Sequence, residues 1–132
     1  MSRFYDIDSA NARLVELRPL LEALRADRDE VAEAQAELVR FRETNGNREH
    51  AEELKRREDA IKLIVRRMQK AVAQIEHWSV TLREIDTGLI DFPALVTGRP
   101  VWLCWRLGED AVGFWHEQDT GFGGRRPLID LE

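Results

Sequence analysis

Apolar residues recur in alternating steps of three and four along the first third of the chain: Leu14, Leu17, Leu21, Leu24, Val31 and Leu38, with some positions skipped. That spacing lines one helix face, so it predicts a long amphipathic helix. Arg28, Gln35 and Arg42 occupy positions where the same register asks for apolar groups, so the seam turns polar toward its far end. Asp6 suits an N-cap with Ser9 three residues on, and Tyr5 precedes it where a hydrophobic staple sits. Pro19 lies inside the pattern and lacks an amide proton, which predicts a kink or a late helix start. The break falls at Thr44-Asn45-Gly46-Asn47, where Gly46 suits a left-handed C-terminal position and Asn47 the next N-cap. A second stripe follows at Leu54, Ile61, Val65, Met68, Val72 and Ile75, widened by Ile64, Ala71 and Trp78. So short a loop makes the two helices antiparallel neighbours. At about 1.5 Å of rise per residue, the arms reach roughly 50 Å.

After Trp78 the pattern changes. Val80-Thr81-Leu82-Arg83-Glu84 alternates apolar and polar, fitting a strand at least as well as a last helical turn. Asp86-Thr87-Gly88 signals a turn, Leu89-Ile90-Asp91-Phe92 a short strand closed by Pro93, and Thr97-Gly98-Arg99-Pro100 another turn. Val101 to Leu107 and Val112 to Glu117 then predict a hairpin joined through Gly108-Glu109-Asp110-Ala111. With Gly108 opposite Ala111, Trp105 pairs with Phe114, Cys104 with Trp115, Leu103 with His116 and Trp102 with Glu117. Alternation then places Val101, Leu103, Trp105, Leu107, Val112, Phe114 and His116 on an inner face, and Trp102, Cys104, Arg106, Trp115 and Glu117 on an outer one. The Gly-rich tail folds back over that outer face, with Phe122, Leu128 and Ile129 covering Trp102 and Trp115. The expected fold is α+β: a long antiparallel helical hairpin (about 6–79) followed by a small antiparallel sheet of about three to four strands and a tail (about 80–130). The whole forms a single domain, 1–132.

Composition narrows the function classes. At 132 residues, 43% hydrophobic and 34% charged, the chain has room for one modest core under a heavily charged surface. A net charge of −5 opposes nucleic-acid binding by bulk electrostatics. The second helix does carry Lys55, Arg56, Arg57, Lys62, Arg66, Arg67 and Lys70, but Asp27, Asp29, Glu30, Glu33 and Glu37 on its neighbour offset them, so solvated ion pairs are the preferred reading. The single cysteine cannot form an intrachain disulfide. Neither a signal-like opening nor a membrane-length apolar run occurs, so a cytoplasmic location is expected. Ile61, Leu63, Ile64 and Val65 point apolar groups in several directions, which predicts a homodimer whose hairpins form a four-helix arrangement.

His116, Glu117 and Cys104 offer imidazole, carboxylate and thiolate, a set that suits zinc. The expected register sends His116 and Cys104 to opposite faces, and no Cys-x-x-Cys or His-x-x-x-His spacing accompanies them, so no metal or other cofactor is expected. His116 then reads as a core histidine and Cys104 as inert packing. Gly121 to Arg126 could hold an anion on backbone amides and guanidinium groups; the preferred reading pairs Arg125 or Arg126 internally with Asp91 or Glu117. The reading that results is a non-enzymatic binding or scaffolding module. Its surface is Trp102, Arg106, Trp115, Glu117, Arg125 and Arg126, taking a peptide or a small anionic ligand. Two alternatives stand beside it: a hydrolase or metal-dependent enzyme using His116, Glu117 and Asp91, and nucleic-acid binding through the second helix.

Gly88-Leu89-Ile90-Asp91-Phe92-Pro93, Leu103-Cys104-Trp105-Arg106, Trp115-His116-Glu117 and Gly121-Phe122-Gly123-Gly124-Arg125-Arg126-Pro127, in that order, resemble the family catalogued as domain of unknown function 2203. Ser9-Ala10-Asn11 and Leu17-Arg18-Pro19-Leu20-Leu21 are similar to its helical opening. The chain departs at Trp78-Ser79, where a glycine ending the helix is expected. The resemblance implies a small bacterial cytoplasmic protein and supplies no activity, cofactor or catalytic residue.

Overall fold

The computed structural model describes residues 3–44 and 46–131. Helix α1 (Ile7–Arg42) begins at a capping box: the Ser9 N–H donates to Asp6 at 2.7 Å, and the Asp6 N–H donates to the Ser9 hydroxyl at 3.0 Å. Tyr5 does more than lead into that cap. Its buried ring meets Phe92 edge-on at 5.0 Å, its hydroxyl donates to the Trp78 carbonyl, and its N–H donates to the Pro93 carbonyl at 2.7 Å. The entrance to α1 is thereby tied to both the end of the second helix and the sheet. The helix runs on through Pro19, so no late start occurs. Val15, whose carbonyl lacks its usual donor there, is 75% exposed, and water can serve it.

Asn45 of the expected break lies outside the described residues. Asn47 caps helix α2 (Arg48–His77) by accepting the His50 N–H at 3.1 Å. The His50 ring stacks on Phe41 at 4.3 Å and crowds Gly46, where a Cβ would lie 2.0 Å from the ring. Burial along the two helices is unequal. α1 buries Ala10, Leu14, Leu17, Leu21, Leu24, Asp27 and Leu38, whereas the described side chains of α2 include one that is fully buried, Ile75. Asp27 is held by Arg67 of α2 through two hydrogen bonds at 2.7 and 3.0 Å. No described helix is long and apolar enough to cross a membrane.

α2 ends in a Schellman arrangement. Val80 N–H donates to the Ile75 carbonyl and Ser79 N–H to the Glu76 carbonyl, with Ser79 left-handed at φ 61. The residue where a glycine was expected therefore adopts a glycine's conformation without being one.

Five antiparallel strands follow in simple meander order: β1 (Thr81–Glu84), β2 (Leu89–Val96), β3 (Arg99–Trp105), β4 (Phe114–Glu117) and β5 (Arg126–Pro127). The helical hairpin and α+β class are as expected, with β5 exceeding the expected strand count. β2 is not closed by Pro93 but runs to Val96. The Pro93 carbonyl accepts from Tyr5, on the edge beyond the end of β1, so the missing amide proton faces a place with no ladder to complete. Thr97 and Gly98, at φ 49 and 81, form the two-residue turn into β3. The inner face of the sheet (Ile90, Phe92, Ala94, Val101, Leu103 and Trp105) packs with Leu14, Leu17, Leu21, Leu24 and Ile75 in one core.

The β3–β4 register differs from the expected one by a single residue. Trp102 pairs with His116, Leu103 with Trp115 and Cys104 with Phe114. The connection is not a tight turn but the whole of residues 106–113. Three contacts open it: Leu107 N–H donates to the Thr87 carbonyl, Glu109 accepts the Arg106 N–H, and Asn11 of α1 accepts the Val112 N–H at 2.7 Å. A one-residue slip inverts a strand. The β3 partition stands, but Trp115 joins the core while Phe114 and His116 turn to the outer face.

Relief of the left-handed strain at Ser79 gives a first prediction. Ser79→Gly should stabilise the protein by about 1 kcal/mol and raise Tm by a few degrees. An unchanged or lower melting temperature would refute the strain at this helix end.

Candidate functional site

The corrected register gathers on the outer face the groups that the expected one had separated. β2 presents Asp91, β3 presents Cys104 beside it, and β4 presents His116. β1 contributes Arg83, the extra residue of a bulge between Leu82 and Glu84. Bulges re-aim side chains, and this one directs Arg83 Nε to Asp91 Oδ2 at 2.8 Å while its guanidinium lies 5.0 Å over the Trp102 ring. Asp91, Cys104 and His116 are all buried, at 2%, 1% and 2% exposure.

The hydrogen bonds constrain the protons. His116 Nδ1 lies 2.8 Å from the Glu117 carbonyl oxygen, which can only accept, so Nδ1 carries a proton. His116 Nε2 lies 3.0 Å from Asp91 Oδ2. A bare nitrogen lone pair facing a carboxylate oxygen at that distance is repulsive, so a proton or another cation must lie between them. The remaining carboxylate oxygen, Oδ1, is buried without a hydrogen-bond partner. The Cys104 thiol is pushed up to about 12, first by burial and then by the Asp91 charge, against a smaller opposing pull from Arg125. At neutral pH it is a thiol, not a thiolate nucleophile.

A second cluster closes the Phe114 end of this face. Arg125 of the tail forks onto Glu109 with two bonds of 2.9 Å, reaches the Cys104 carbonyl at 3.4 Å, and lies between the rings of Phe114 (3.9 Å) and Phe122 (4.5 Å). The tail arginine is thus paired internally, but with Glu109 rather than Asp91 or Glu117, whose partners are Arg83 and Arg99. The tail covers less than expected. Leu128 packs on the core, Ile129 is 91% exposed, and Trp102 is only partly buried.

The six residues expected to share a binding surface are dispersed. Trp102 lies on the outer face and Trp115 in the core; Arg106 is exposed beside Phe122, and Arg126 lies 5.6 Å over Trp115. Glu117, opposite Val101, is bound to Arg99, apart from the Asp91–His116 pair. The expected acid–base set His116, Glu117 and Asp91 is therefore not one group, whereas Cys104, assigned to packing, belongs with two of its members. Arg83 escaped notice because a lone arginine in an alternating strand looks like an ordinary solvent-facing position.

Next to the buried cluster, a groove of about 700 Å³ opens beside Trp102. Pro93, Pro100, Thr81 and the exposed Phe4 line it with Trp102, and Glu76 and Gln118 add polar groups. The family model described as "Uncharacterized conserved protein (DUF2203)" matches residues 3–128. The chain belongs to that family. No curated protein and no solved structure matches it. In this DUF2203 chain the segments around Asp91, Cys104, His116 and Arg125 meet at the outer face.

Two predictions concern this network. Asp91→Ala strips the carboxylate from a buried histidine and from Arg83, and should cost about 3 kcal/mol in denaturant unfolding. Arg83→Ala, at a half-exposed position, should cost nearer 1 kcal/mol. Wild-type stability in Asp91→Ala would remove the network's structural role. The second follows from Cys104, with a chelator present to keep metals off the thiol. Well below pH 9 the thiol is protonated in both folded and unfolded chains, so it contributes no pH dependence there. Between its ordinary 9.0 and about 12 the unfolded chain loses the proton first, so stability falls as pH rises. Wild type should lose stability more steeply than Cys104→Ala across that window, by at most about 1.4 kcal/mol per pH unit. Parallel pH profiles would contradict the buried, protonated thiol.

Proposed function

We propose that the protein is a homodimeric, non-enzymatic binding module: helical hairpins pair two copies, and the groove at Trp102 receives a peptide. The observation that carries the binding reading is the lining of that groove. Trp102, Phe4 and Pro100 offer rigid apolar contact area with little entropy to lose, the chemistry by which aromatic-lined grooves take extended or proline-rich segments. A peptide fits better than a small anion, because the groove's charged lining residue is Glu76, and Arg125 is committed to Glu109. The buried, protonated thiol and the withdrawal of Asp91 and His116 from the groove lining favour binding over catalysis.

Support for the dimer comes from α2. Val65, Met68, Val72 and Ala73, with Val31 of α1 and Ile85, line an apolar trough of about 430 Å³ along the hairpin. Leu63, outside that trough, is 63% exposed. A second hairpin laid two-fold against the first covers that trough.

Light scattering should give the mass of two chains at micromolar concentration, and Ala73→Glu, at an exposed helical position, should give one. A monomeric wild type would overturn the dimer. Peptides selected from a random display library should share a consensus and lose roughly thirtyfold in affinity for Trp102→Ala, about 2 kcal/mol. Binding that survives Trp102→Ala, or a selection without consensus, would overturn the groove reading.

A further inference from the structure

The outer-face cluster supports an inference that goes beyond the binding reading and does not depend on it. Asp91, Cys104 and His116 come from three adjacent strands, and one ligand-type atom of each lies within 4.8 Å of the others. Among the described residues no other group of three such donors is gathered this closely. Two further features point to a cation. Asp91 Oδ1 is buried and unpartnered in a residue 98% removed from solvent, and Nε2 of His116 faces a carboxylate oxygen with its lone pair unless a proton intervenes.

We propose that Cys104 Sγ, His116 Nε2 and a carboxylate oxygen of Asp91 form a binding site for a borderline-soft divalent ion of the zinc class. The donor set selects the metal: thiolate and imidazole suit zinc and cobalt, while hard ions such as magnesium and calcium want oxygen alone. The outer shell is already in place. Nδ1–H of His116 is held on the Glu117 carbonyl, which fixes the tautomer leaving Nε2 free to ligate, and Arg83 steadies the carboxylate from the other side. Tetrahedral zinc sets its donors roughly 3–4 Å apart, so the 4.8 Å spread closes with side-chain movements of about 1 Å. The ion displaces the thiol proton, which leaves to solvent, so binding releases at least one proton. Two anionic ligands neutralise the dication. The fourth coordination position has no protein ligand from this trio, so it is left to water or to an incoming group.

The test uses the full-length protein without a histidine tag, stripped with chelator and titrated with Zn(II), Co(II) or Mg(II). One equivalent of Zn(II) should raise Tm and release protons, while Mg(II) should do neither. Co(II) should produce a thiolate-to-cobalt charge-transfer band in the near ultraviolet that Cys104→Ser abolishes, and His116→Gln should weaken cobalt binding at least tenfold. Circular dichroism checks that these variants fold, and the wild-type titration decides the matter if they do not. Absence of Zn(II) and Co(II) binding to wild type at micromolar concentration overturns the site. Cobalt binding without the charge-transfer band, or with a band that persists in Cys104→Ser, overturns it equally and points to the half-buried His50 or the exposed His77 instead.

Discussion

Burial of the Trp115 indole against Leu103 and the apolar core is the constraint on which the rest of the sheet depends. A tryptophan side chain removes on the order of 150–250 Å² from water, more than any neighbour on β4 can offer. Once it turns inward, strand alternation obliges Phe114 and His116 to turn outward. The two long-range anchors of the β3–β4 connection, Asn11 to Val112 and Arg125 to Glu109, hold that choice in place. The buried polar cluster thus follows from a hydrophobic decision taken on the opposite side of the sheet.

The division of labour between the helices follows from their side chains. α1 presents an unbroken apolar stripe from Ala10 to Leu24 and packs it on the sheet, so its first half belongs to the core. Beyond Leu24 the two helices have mainly each other. Salt links such as Arg67 to Asp27 join them, and α2 keeps Ile61, Val65 and Met68 half-covered. Ion pairs along such an exposed arm add little each. The arm's order therefore rests on helix propensity and on whatever covers that stripe.

Much of this was legible in the sequence where the signal is local. The 3-4 spacing of Leu14 to Leu24 gave the first helix, Asp6 and Asn47 gave the caps, and alternation along Val101, Leu103 and Trp105 gave the inner face of β3. Non-local features were not legible. The β4 register depends on Asn11, a hundred residues earlier in the chain, and no turn rule applied to Gly108–Ala111 can include it. Pro93 reads as a strand terminator unless the Tyr5 segment is known to lie alongside it. Ser79 carries no glycine signal, yet the Ile75–Val80 closure imposes the left-handed turn. The candidate cluster went unrecognised for the same reason as the register, since one slipped residue separates a thiol from an imidazole.

The ends of the sheet carry a further consequence. One border strand is four residues long and kinked by the bulge at Arg83; the other is two residues long and ends in Pro127. Neither margin offers a straight run of free amides and carbonyls on which a foreign ribbon could lengthen the sheet. The molecule is protected from stacking edge to edge, and a visiting chain has to be gripped by its side groups rather than zipped on by its backbone.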